Sequence, residues 1–460
     1  MKKLISILLC LCVLLPLASC KRNETEEKEC YLSSSSIILG NRIYRIQKAK
    51  NITGNNQTYL VYSNVGEDYA DIRIGCVDPL CAHGRETCAS HCQGGEELII
   101  VSEQKAPKIY FFYRTVSPTT DMLVWSLVCM DMKNGTRTTV CELSEDFRIS
   151  QTEFLYSDGY IYWTGTVRDE TGGAIYDQVW RVSADGGEAK QVSGLGNEAE
   201  NASYSLYYRD SEGYFYYYTS YYASDHTRKQ YFARSKDFAN EEILINDTNE
   251  DAIVVGDICV SEGMIYYFKE KSSVSGTEER PISKEYDVYE DEVYDCTLYS
   301  IYRIPMDGSA EPELVADHAL HYQKRSITVD DGKLYYIPFD TKSVGTLEYV
   351  TDNYITGIPE EDMKKGEKKI LRYIRSYNGG KVVEVDLHTL ETKTHEVGPK
   401  AEISSLFGVF GDQLLVGTKT TDLDRVSQIG KGGFESYDID TGAGFFSDNP
   451  FCEYGTVSLK

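Results

Sequence analysis

The residues that could do chemistry in this chain are concentrated in one short segment, GCVDPLCAHGRETCASHC (75–92). Four cysteines and two histidines share these eighteen residues: Cys76, Cys81, His83, Cys88, His91 and Cys92. Thiolate sulfur and imidazole nitrogen are the usual ligands of structural zinc. Cysteines outside the reducing cytoplasm also form disulfides. The segment therefore predicts either a tetrahedral zinc site or a disulfide staple.

The spacing within the segment favours a structural role over a catalytic one. The pattern Cys76-x4-Cys81-x-His83-x4-Cys88 supplies three thiolates and one imidazole, with Cys92 as a spare ligand or disulfide partner. A nucleophilic cysteine and its base usually come from distant chain segments, and Cys81 and His83 are too close in sequence for that arrangement. We therefore expect the cluster to hold a long loop in place.

The start of the chain predicts export and lipid anchoring. Lys2 and Lys3 precede the apolar run 4–17, which is shorter than an ordinary membrane-spanning helix. The run ends in Leu-Ala-Ser-Cys20, which resembles the lipobox of bacterial lipoproteins, whose cysteine is acylated and becomes the new N-terminus. We expect a signal peptide at 1–19 and a lipidated Cys20 followed by a flexible tether to residue 35. This places the protein in the cell envelope, anchored on the outer side of the cytoplasmic membrane or in the outer membrane.

The charge of the chain limits its partners. The formal net charge is −25. Such an acidic chain argues against nucleic acid as a partner and against broad contact with anionic lipid. Contact with the membrane is therefore expected through the N-terminal lipid alone.

A repeated unit organises residues 36–460. Each copy is a turn followed by a short apolar strand, and a strand, a polar turn and another strand come after it. Seven equivalent positions recur every 50–80 residues: Tyr44, Tyr110, Tyr162, Tyr216, Tyr266, Tyr335 and Leu415. About four strands per unit is typical of a β-propeller blade. The sequence predicts an all-β fold, a β-propeller of seven blades, with six or eight as alternatives.

Two insertions and one aromatic stretch are candidates for ligand contact. The insertions, 271–295 and 341–369, are polar, and long loops on a rigid scaffold commonly carry function. The stretch 204–222 is rich in tyrosine, which packs between blades or stacks on sugar rings when exposed. Tyr221 and Tyr222 are the predicted ligand-contact residues if they lie at a loop tip.

The remaining cysteines also suggest disulfides. Cys30 and Cys452 flank the two ends of the repeat region, which a closed ring would bring together. Cys129 and Cys141 lie on the two arms of one predicted hairpin, and Cys259 and Cys296 begin and end strands of one blade. We predict these three pairings, which leave the four clustered cysteines to pair among themselves.

The segment 75–92 is similar to a C-x-D-P-x-C-x-H-x4-C segment in a group of poorly characterised bacterial surface lipoproteins with predicted propeller bodies. The matching positions are Cys76, Asp78, Pro79, Cys81, His83 and Cys88. In that group the unit is three cysteines and a histidine, which implies a metal site. This chain adds Cys92, which restores an even number of cysteines and keeps the disulfide alternative open. The resemblance does not bring a known activity with it.

Motifs of common enzymes are absent from the sequence, which contains no G-x-S-x-G, P-loop or H-E-x-x-H. We therefore expect a binding module for a glycan, a peptide or an envelope protein. The alternatives are a carbohydrate-active enzyme that uses carboxylates at the central channel, and a non-catalytic scaffold in an envelope assembly complex. A propeller supports all three functions, and a structural zinc is the one cofactor that the sequence suggests.

Overall fold

The computed structural model describes residues 30–458 with gaps. The gaps are residues 35, 51–55, 65–72, 79, 85–87, 94–97, 102–106, 118–119, 121–122, 146, 168–176, 194–199, 223–226, 247–256, 284–287, 322–324, 341, 352–367, 377, 397–400, 411–412 and 421–451. The predicted signal peptide, Cys20 and residues 21–29 of the predicted tether lie outside the described residues. Within the described part, no helix has the length and apolar character needed to cross a membrane.

Every regular element in the described residues is a β-strand. In chain order the strands are β1 (Cys30–Leu32), β2 (Ser36–Leu39), β3 (Arg42–Lys50), β4 (Asn56–Asn64), β5 (Arg73–Ile74), β6 (Leu98–Val101), β7 (Lys108–Val116), β8 (Leu123–Asp131), β9 (Arg137–Glu142), β10 (Phe147–Ser157), β11 (Tyr160–Val167), β12 (Gln178–Ser183), β13 (Lys190–Ser193), β14 (Glu200–Arg209), β15 (Phe215–Tyr222), β16 (Arg228–Ser235), β17 (Glu242–Asn246), β18 (Cys259–Ser261), β19 (Met264–Ser283), β20 (Val288–Pro305), β21 (Glu313–Ala319), β22 (Ile327–Asp330), β23 (Lys333–Tyr336), β24 (Lys342–Thr351), β25 (Lys368–Ser376), β26 (Lys381–Asp386), β27 (Thr392–Glu396), β28 (Ala401–Phe410), β29 (Gln413–Thr420) and β30 (Cys452–Ser458). The predicted all-β class is confirmed.

The strands form antiparallel sheets arranged as a β-propeller. Six sheets have four or five strands and are complete blades: β2–β5, β6–β9, β1 with β10–β13, β14–β17, β18–β21, and β22, β23, β26 and β27. The first strands of successive sheets lie side by side and therefore surround the axis of the ring. A sheet of three described strands, β28–β30, lies between the last complete blade and the first. The prediction of seven blades is not confirmed, because six complete blades are described.

The tyrosine-rich second strands pack between blades. In β15 the successive residues Tyr216, Tyr217 and Tyr218 are all buried. Side chains on a strand alternate between two faces, so both faces of this blade are covered by its neighbours. Within the blade, Tyr217 contacts the ring of Tyr204 on the neighbouring strand. Between blades, Phe215 contacts the ring of Tyr162 from the preceding blade. Packing between blades is therefore the main role of these aromatic side chains.

The two ends of the strands differ. The first hairpin turn of each blade lies at one end, which we name the turn face, and glycines with positive φ occupy these turns: Gly40, Gly159, Gly213, Gly263 and Gly332. The opposite end, the loop face, carries the insertions. The predicted insertion 271–295 extends β19 and β20 into one long hairpin. The insertion 341–369 contributes to a second hairpin, β24–β25, which forms a sheet of its own.

The N-terminal segment runs inside the ring. β1 pairs with β10 and places Cys30 opposite Ser157 and Leu32 opposite Leu155. Ser34 then forms a bridge with Leu98 of the preceding blade. The sequence assigned residues 30–34 to the tether, but here they form an additional strand on the inner edge of a blade.

Candidate metal centre

Three cysteines and one histidine converge at the outer edge of the first blade. One donor atom from each of Cys76, Cys81, His83 and Cys88 lies within 4.8 Å of all the others. The Cys88 Sγ is 3.5 Å from the His83 Nδ1. Within the described residues these four side chains are the one group with metal-ligand geometry.

Backbone contacts fix the loop that carries the cluster, residues 75–92, which we name the cysteine loop. Its beginning and end both bond to β4: the Gly75 N–H donates to the Leu60 carbonyl at 2.8 Å, and the Cys92 N–H donates to the Thr58 carbonyl at 2.9 Å. Between them the Asp78 carboxylate accepts the Leu80 N–H at 2.9 Å, which closes the turn between the first two cysteines. The loop therefore replaces the outer strand of the blade over half its length.

One buried aromatic residue, Tyr59, supports the histidine ligand. The Tyr59 hydroxyl donates to the His83 carbonyl at 2.6 Å, and Tyr59 is fully buried. His83 has a φ of 53°, a left-handed conformation that is uncommon for a residue with a side chain. The bond from Tyr59 stabilises this backbone conformation, which brings the imidazole of His83 toward Cys88.

The cysteine loop also contacts the second blade. The second histidine, His91, is buried and its Nδ1 lies 3.2 Å from the Tyr113 hydroxyl of β7. The Arg137 guanidinium of β9 donates to the His91 carbonyl at 2.7 Å. Val77 packs against the turn at Gly135. His91 thus joins two blades and is not a member of the donor cluster.

Cys92 stands apart from the cluster. It is buried in a core that combines residues of the first two blades, including Leu60, Leu98 and Val128. Its thiol donates to the Ser90 carbonyl at 3.4 Å. Three cysteines therefore remain with His83. A tetrahedral metal ion can bind all four side chains, whereas a disulfide bond among three cysteines leaves one thiol unpaired.

Burial keeps the Cys76 and Cys88 thiols protonated unless a cation is present. Burial raises the pKa of Cys88 to about 12 and also raises the pKa of Cys76. Thiolate is the form that binds metal. A bound divalent cation provides the positive charge that a thiolate needs in this environment.

The donor set fits zinc. Tetrahedral zinc with sulfur at about 2.3 Å and imidazole nitrogen at about 2.1 Å holds its ligand atoms about 3.5–3.8 Å apart. The observed spacing of the four donors needs only small side-chain movements to reach this geometry. Four protein ligands leave no open position, so such a site is structural and not catalytic.

The structure does not bring Cys129 to Cys141, nor Cys259 to Cys296. The nine cysteines whose side chains the structure describes are free thiols. Cys129 lies opposite Thr138 and Cys141 opposite Leu127, because a bulge shifts the register of β8 and β9.

Cys259 and Cys296 pack against different core clusters. Cys259 is opposite Tyr266 at the start of its blade, whereas Cys296 is opposite Val274 on the long hairpin. Cys30 accepts a hydrogen bond from the Arg209 N–H at 3.3 Å, and Cys452 lies in the sheet of β28–β30. The three pairings remain predictions.

The two predicted ligand-contact tyrosines lie at the loop-face end of β15. Tyr222 is 39% exposed. Tyr221 is half-buried, and its ring packs edge-on against Tyr231 at 6.2 Å between centroids. Tyr222 is therefore available to a ligand, while Tyr221 belongs partly to the aromatic core of its blade.

Two carboxylates with side-chain and backbone partners, the half-buried Glu241 and the buried Asp257, were not predicted from the sequence. Glu241 accepts the Tyr217 hydroxyl at 2.5 Å and, on its other oxygen, the Tyr231 hydroxyl. Asp257 accepts the Ser326 N–H at 2.5 Å, and its carboxylate is 3.7 Å from the His321 Nε2. Neither group of residues can be recognised in the sequence, because the residues are separated by up to 69 positions and meet only in the folded ring.

Comparisons with known proteins find solved structures of low similarity. No protein-family model matches the chain, and no curated protein matches it. An acylaminoacyl peptidase from Pyrococcus horikoshii is 13% identical with a TM-score of 0.41, over 86% of this chain and 50% of the peptidase. An α-L-arabinofuranosidase from Fusarium graminearum is 10% identical with a TM-score of 0.34, over 79% of this chain and 92% of that enzyme. The β-propeller domain of a trilobed protease from Pyrococcus furiosus is 12% identical with a TM-score of 0.26, over 71% of this chain and 91% of that domain.

This chain therefore spans about half the length of the peptidase. The low identities and TM-scores give no information about the activity of this chain.

Proposed function

We propose that this protein is a lipid-anchored, extracytoplasmic β-propeller that binds a glycan, a peptide or an envelope protein at its loop face. One observation carries the proposal: the long β19–β20 hairpin, the β24–β25 hairpin and the exposed Tyr222 all lie at the same end of the strands. The turn face carries short turns instead. A rigid ring with extended hairpins and an exposed aromatic ring at one end has the form of a recognition surface.

The proposed zinc ion has a supporting role. It binds Cys76, Cys81, His83 and Cys88 and fixes the cysteine loop between the first two blades. Because the loop takes the place of part of an outer strand, the metal stabilises the edge of the first blade. The ion takes no part in recognition at the loop face.

The binding proposal is tested by screening the full chain against an array of bacterial envelope glycans and peptides. Two loop-face variants are compared with it: Tyr222→Ala, and replacement of residues 275–294 by Asn-Gly. Tyr160→Ala is the matched control, because Tyr160 is similarly exposed, at 38%, but lies at the turn face. We expect binding that both loop-face variants weaken at least tenfold and that Tyr160→Ala retains. Binding that is equal in all four proteins contradicts the proposal, as does the absence of any bound probe.

The predicted enzymatic alternative has one supporting observation. The pKa of the Tyr207 hydroxyl is raised, first by burial and then by the nearby negative charges of Glu153 and Asp257. Two carboxylates therefore lie near one hydroxyl among the inner strands. Burial also raises the pKa of Asp257 to about 6, a property of general acids in glycoside hydrolysis. However, the Ser326 N–H already occupies this carboxylate. Hydrolysis of aryl glycosides that Glu153→Gln and Asp257→Asn each abolish would establish the enzyme, and no turnover by the native chain would exclude it for these substrates.

A further inference from the structure

We infer that the propeller stands with its turn face toward the lipid bilayer, so that the loop face points away from the membrane. This inference rests on the proposed lipid anchor at Cys20 and adds the orientation of the binding surface. It follows from where the described chain begins and from how few residues separate that point from the anchor.

The described chain begins at the turn face. Cys30 lies opposite Ser157, which directly precedes the first turn of its blade. The Arg209 N–H, at the same end of the next blade, donates to the Cys30 Sγ at 3.3 Å. Arg209 also pairs with Asp158 of that first turn, with 3.9 Å between the charged atoms. Cys30 is therefore level with the turns, and β1 begins on that side of the ring.

The chain also begins near the axis of the ring. β1 is the innermost strand of its sheet, whose order is β1-β10-β11-β12-β13. It also lies beside β6 and β14, the inner strands of the two neighbouring blades. Ser33 and Ser34, which follow β1, are buried between these strands. The tether therefore leaves from the centre of the turn face and not from the rim.

The length of the tether decides between the two orientations. The ten residues from Cys20 to Cys30 span at most about 36 Å when fully extended. An inverted propeller would require the tether to pass four strand spacings to the rim, about 19 Å. It would then have to follow the length of an eight-residue strand such as β11, about 25 Å. This path exceeds the reach of the tether, so the loop face cannot lie against the bilayer.

An edge-on orientation is also disfavoured. A flexible chain of ten residues has a root-mean-square length of about 18 Å. The distance from the axis of the ring to its rim is already as long as this root-mean-square length. The orientation with the turn face toward the membrane needs no lateral path, and it leaves the tether its full conformational freedom.

The orientation is measured by energy transfer to the membrane. The lipidated full chain is placed in phosphatidylcholine vesicles whose headgroups carry an acceptor dye. A donor is attached through a non-canonical amino acid, because the described cysteines are free thiols. One variant carries it at Asp185, which is 88% exposed in a turn at the turn face, and the other at Ser275 on the long hairpin. Ser275 lies eleven residues beyond the turn-face end of its strand, about 36 Å.

We expect stronger transfer from Asp185 than from Ser275 in the anchored protein. Equal transfer, or stronger transfer from Ser275, overturns the inferred orientation. A chain with thirty Gly/Ser residues inserted after Glu27 is the matched control, and its two labels should give nearly equal transfer because the long tether permits every orientation.

The anchor itself is tested separately by flotation. Native chain that floats with vesicles, and Cys20→Ala chain that does not, support the anchor. Failure of the native chain to float overturns both the anchor and the orientation, whereas a floating chain with reversed energy transfer overturns the orientation alone.

Discussion

The four donor residues of the cysteine loop differ from the other described cysteines in their surroundings. Cys129 and Cys141 lie in an apolar core, as does Cys92. Cys76 and Cys81 are only partly buried, and each lies beside another sulfur or an imidazole. A thiol in an apolar core behaves as a small hydrophobic side chain. The three cluster thiols also pack beside Tyr59 and Val61, and in addition they surround an imidazole, an arrangement that suits a metal ion.

The first prediction at this scale concerns metal content. Native chain and Cys92→Ala are expected to contain one zinc ion per chain, and Cys81→Ser is expected to lose its zinc to EDTA. We expect Cys81→Ser to lower the free energy of unfolding by about 3 kcal/mol, well below the ~10 kcal/mol of zinc-finger peptides, because the propeller core persists without the ion. Elemental analysis and urea denaturation provide the two measurements. A metal-free native chain whose mass increases by two hydrogens per bridge on reduction would instead establish the disulfide alternative.

The second prediction concerns acid stability at Asp257 and His321. Burial raises the pKa of Asp257 to about 6 and lowers the pKa of His321 to about 4. The folded state thus binds a proton at Asp257 before the unfolded chain does, which stabilises the fold as the pH falls from about 6 to 4. The unfolded chain binds a proton at His321 first, which destabilises the fold between pH 6.5 and 4.

The two effects oppose each other in the native chain, so its stability should change little over this range. Asp257→Asn should lose up to about 3 kcal/mol on acidification from pH 6.5 to 4, and His321→Gln should gain a similar amount. Urea denaturation at several pH values measures both. Parallel stability curves for the native chain and both variants would show that neither group titrates as described.

At the scale of elements, one turn of the second blade fixes the cysteine loop. Gly135 has a φ of +67°, and a Cβ at this position would lie 2.2 Å from the Val77 Cγ2. Gly159 has a similar φ of +76° but nothing within 4 Å of its Cβ position. The two glycines thus share the backbone requirement, and only Gly135 has the packing requirement.

Alanine substitution should separate these requirements. Gly159→Ala is expected to cost about 1 kcal/mol from the left-handed backbone alone. Gly135→Ala should cost at least about 1 kcal/mol more, because Val77 must move. Val77→Ala should recover part of that additional cost in a double-mutant cycle measured by urea denaturation. Equal costs at both glycines would mean that the cysteine loop moves freely away from the turn.

The repeat of turns and strands could be predicted from the sequence, but the pairing of individual residues across neighbouring strands could not. A turn followed by a tyrosine-containing strand, as at Tyr110 and Tyr162, marks the second strand of a blade, because that strand is buried on both faces. The partners of individual cysteines depend on bulges. The shift between Leu127 and Val128 moves Cys141 away from the position opposite Cys129, and bulges have no clear signal in residue type.

At the scale of the molecule, the sequence concealed the position of the N-terminal segment. β1 has three residues, too few for a period to be visible, and it follows a charged stretch typical of a tether. Its partners in β10 are more than one hundred residues away. The donor cluster, by contrast, was readable because Cys76, Cys81, His83 and Cys88 are close in the chain.

Truncation tests the contribution of this segment. The Ser33 N–H donates to the Phe154 carbonyl at 2.8 Å, and Ser34 exchanges two backbone bonds with Leu98 at 2.9 and 3.0 Å. These three bonds contribute about 1 kcal/mol each, and the truncation also removes the pairing of β1 with β10, so a chain of residues 36–460 should be at least about 3 kcal/mol less stable than a chain of residues 30–460. The latter should match residues 20–460 in urea denaturation. Equal stability of all three chains would show that the inner strand is dispensable.

The inner strand has a mechanical consequence for a tethered protein. In the proposed anchored state, tension between the lipid and a ligand would enter the ring through β1, along the direction of the strand. Hydrogen bonds between antiparallel strands are perpendicular to the strands, so a pull along β1 loads its bonds to β10 together, in shear, instead of opening them one after another. A load applied at the outer edge of a blade would peel that blade away bond by bond. With the proposed anchor, entry of the force at the axis would let the propeller hold a large or moving ligand without losing a blade.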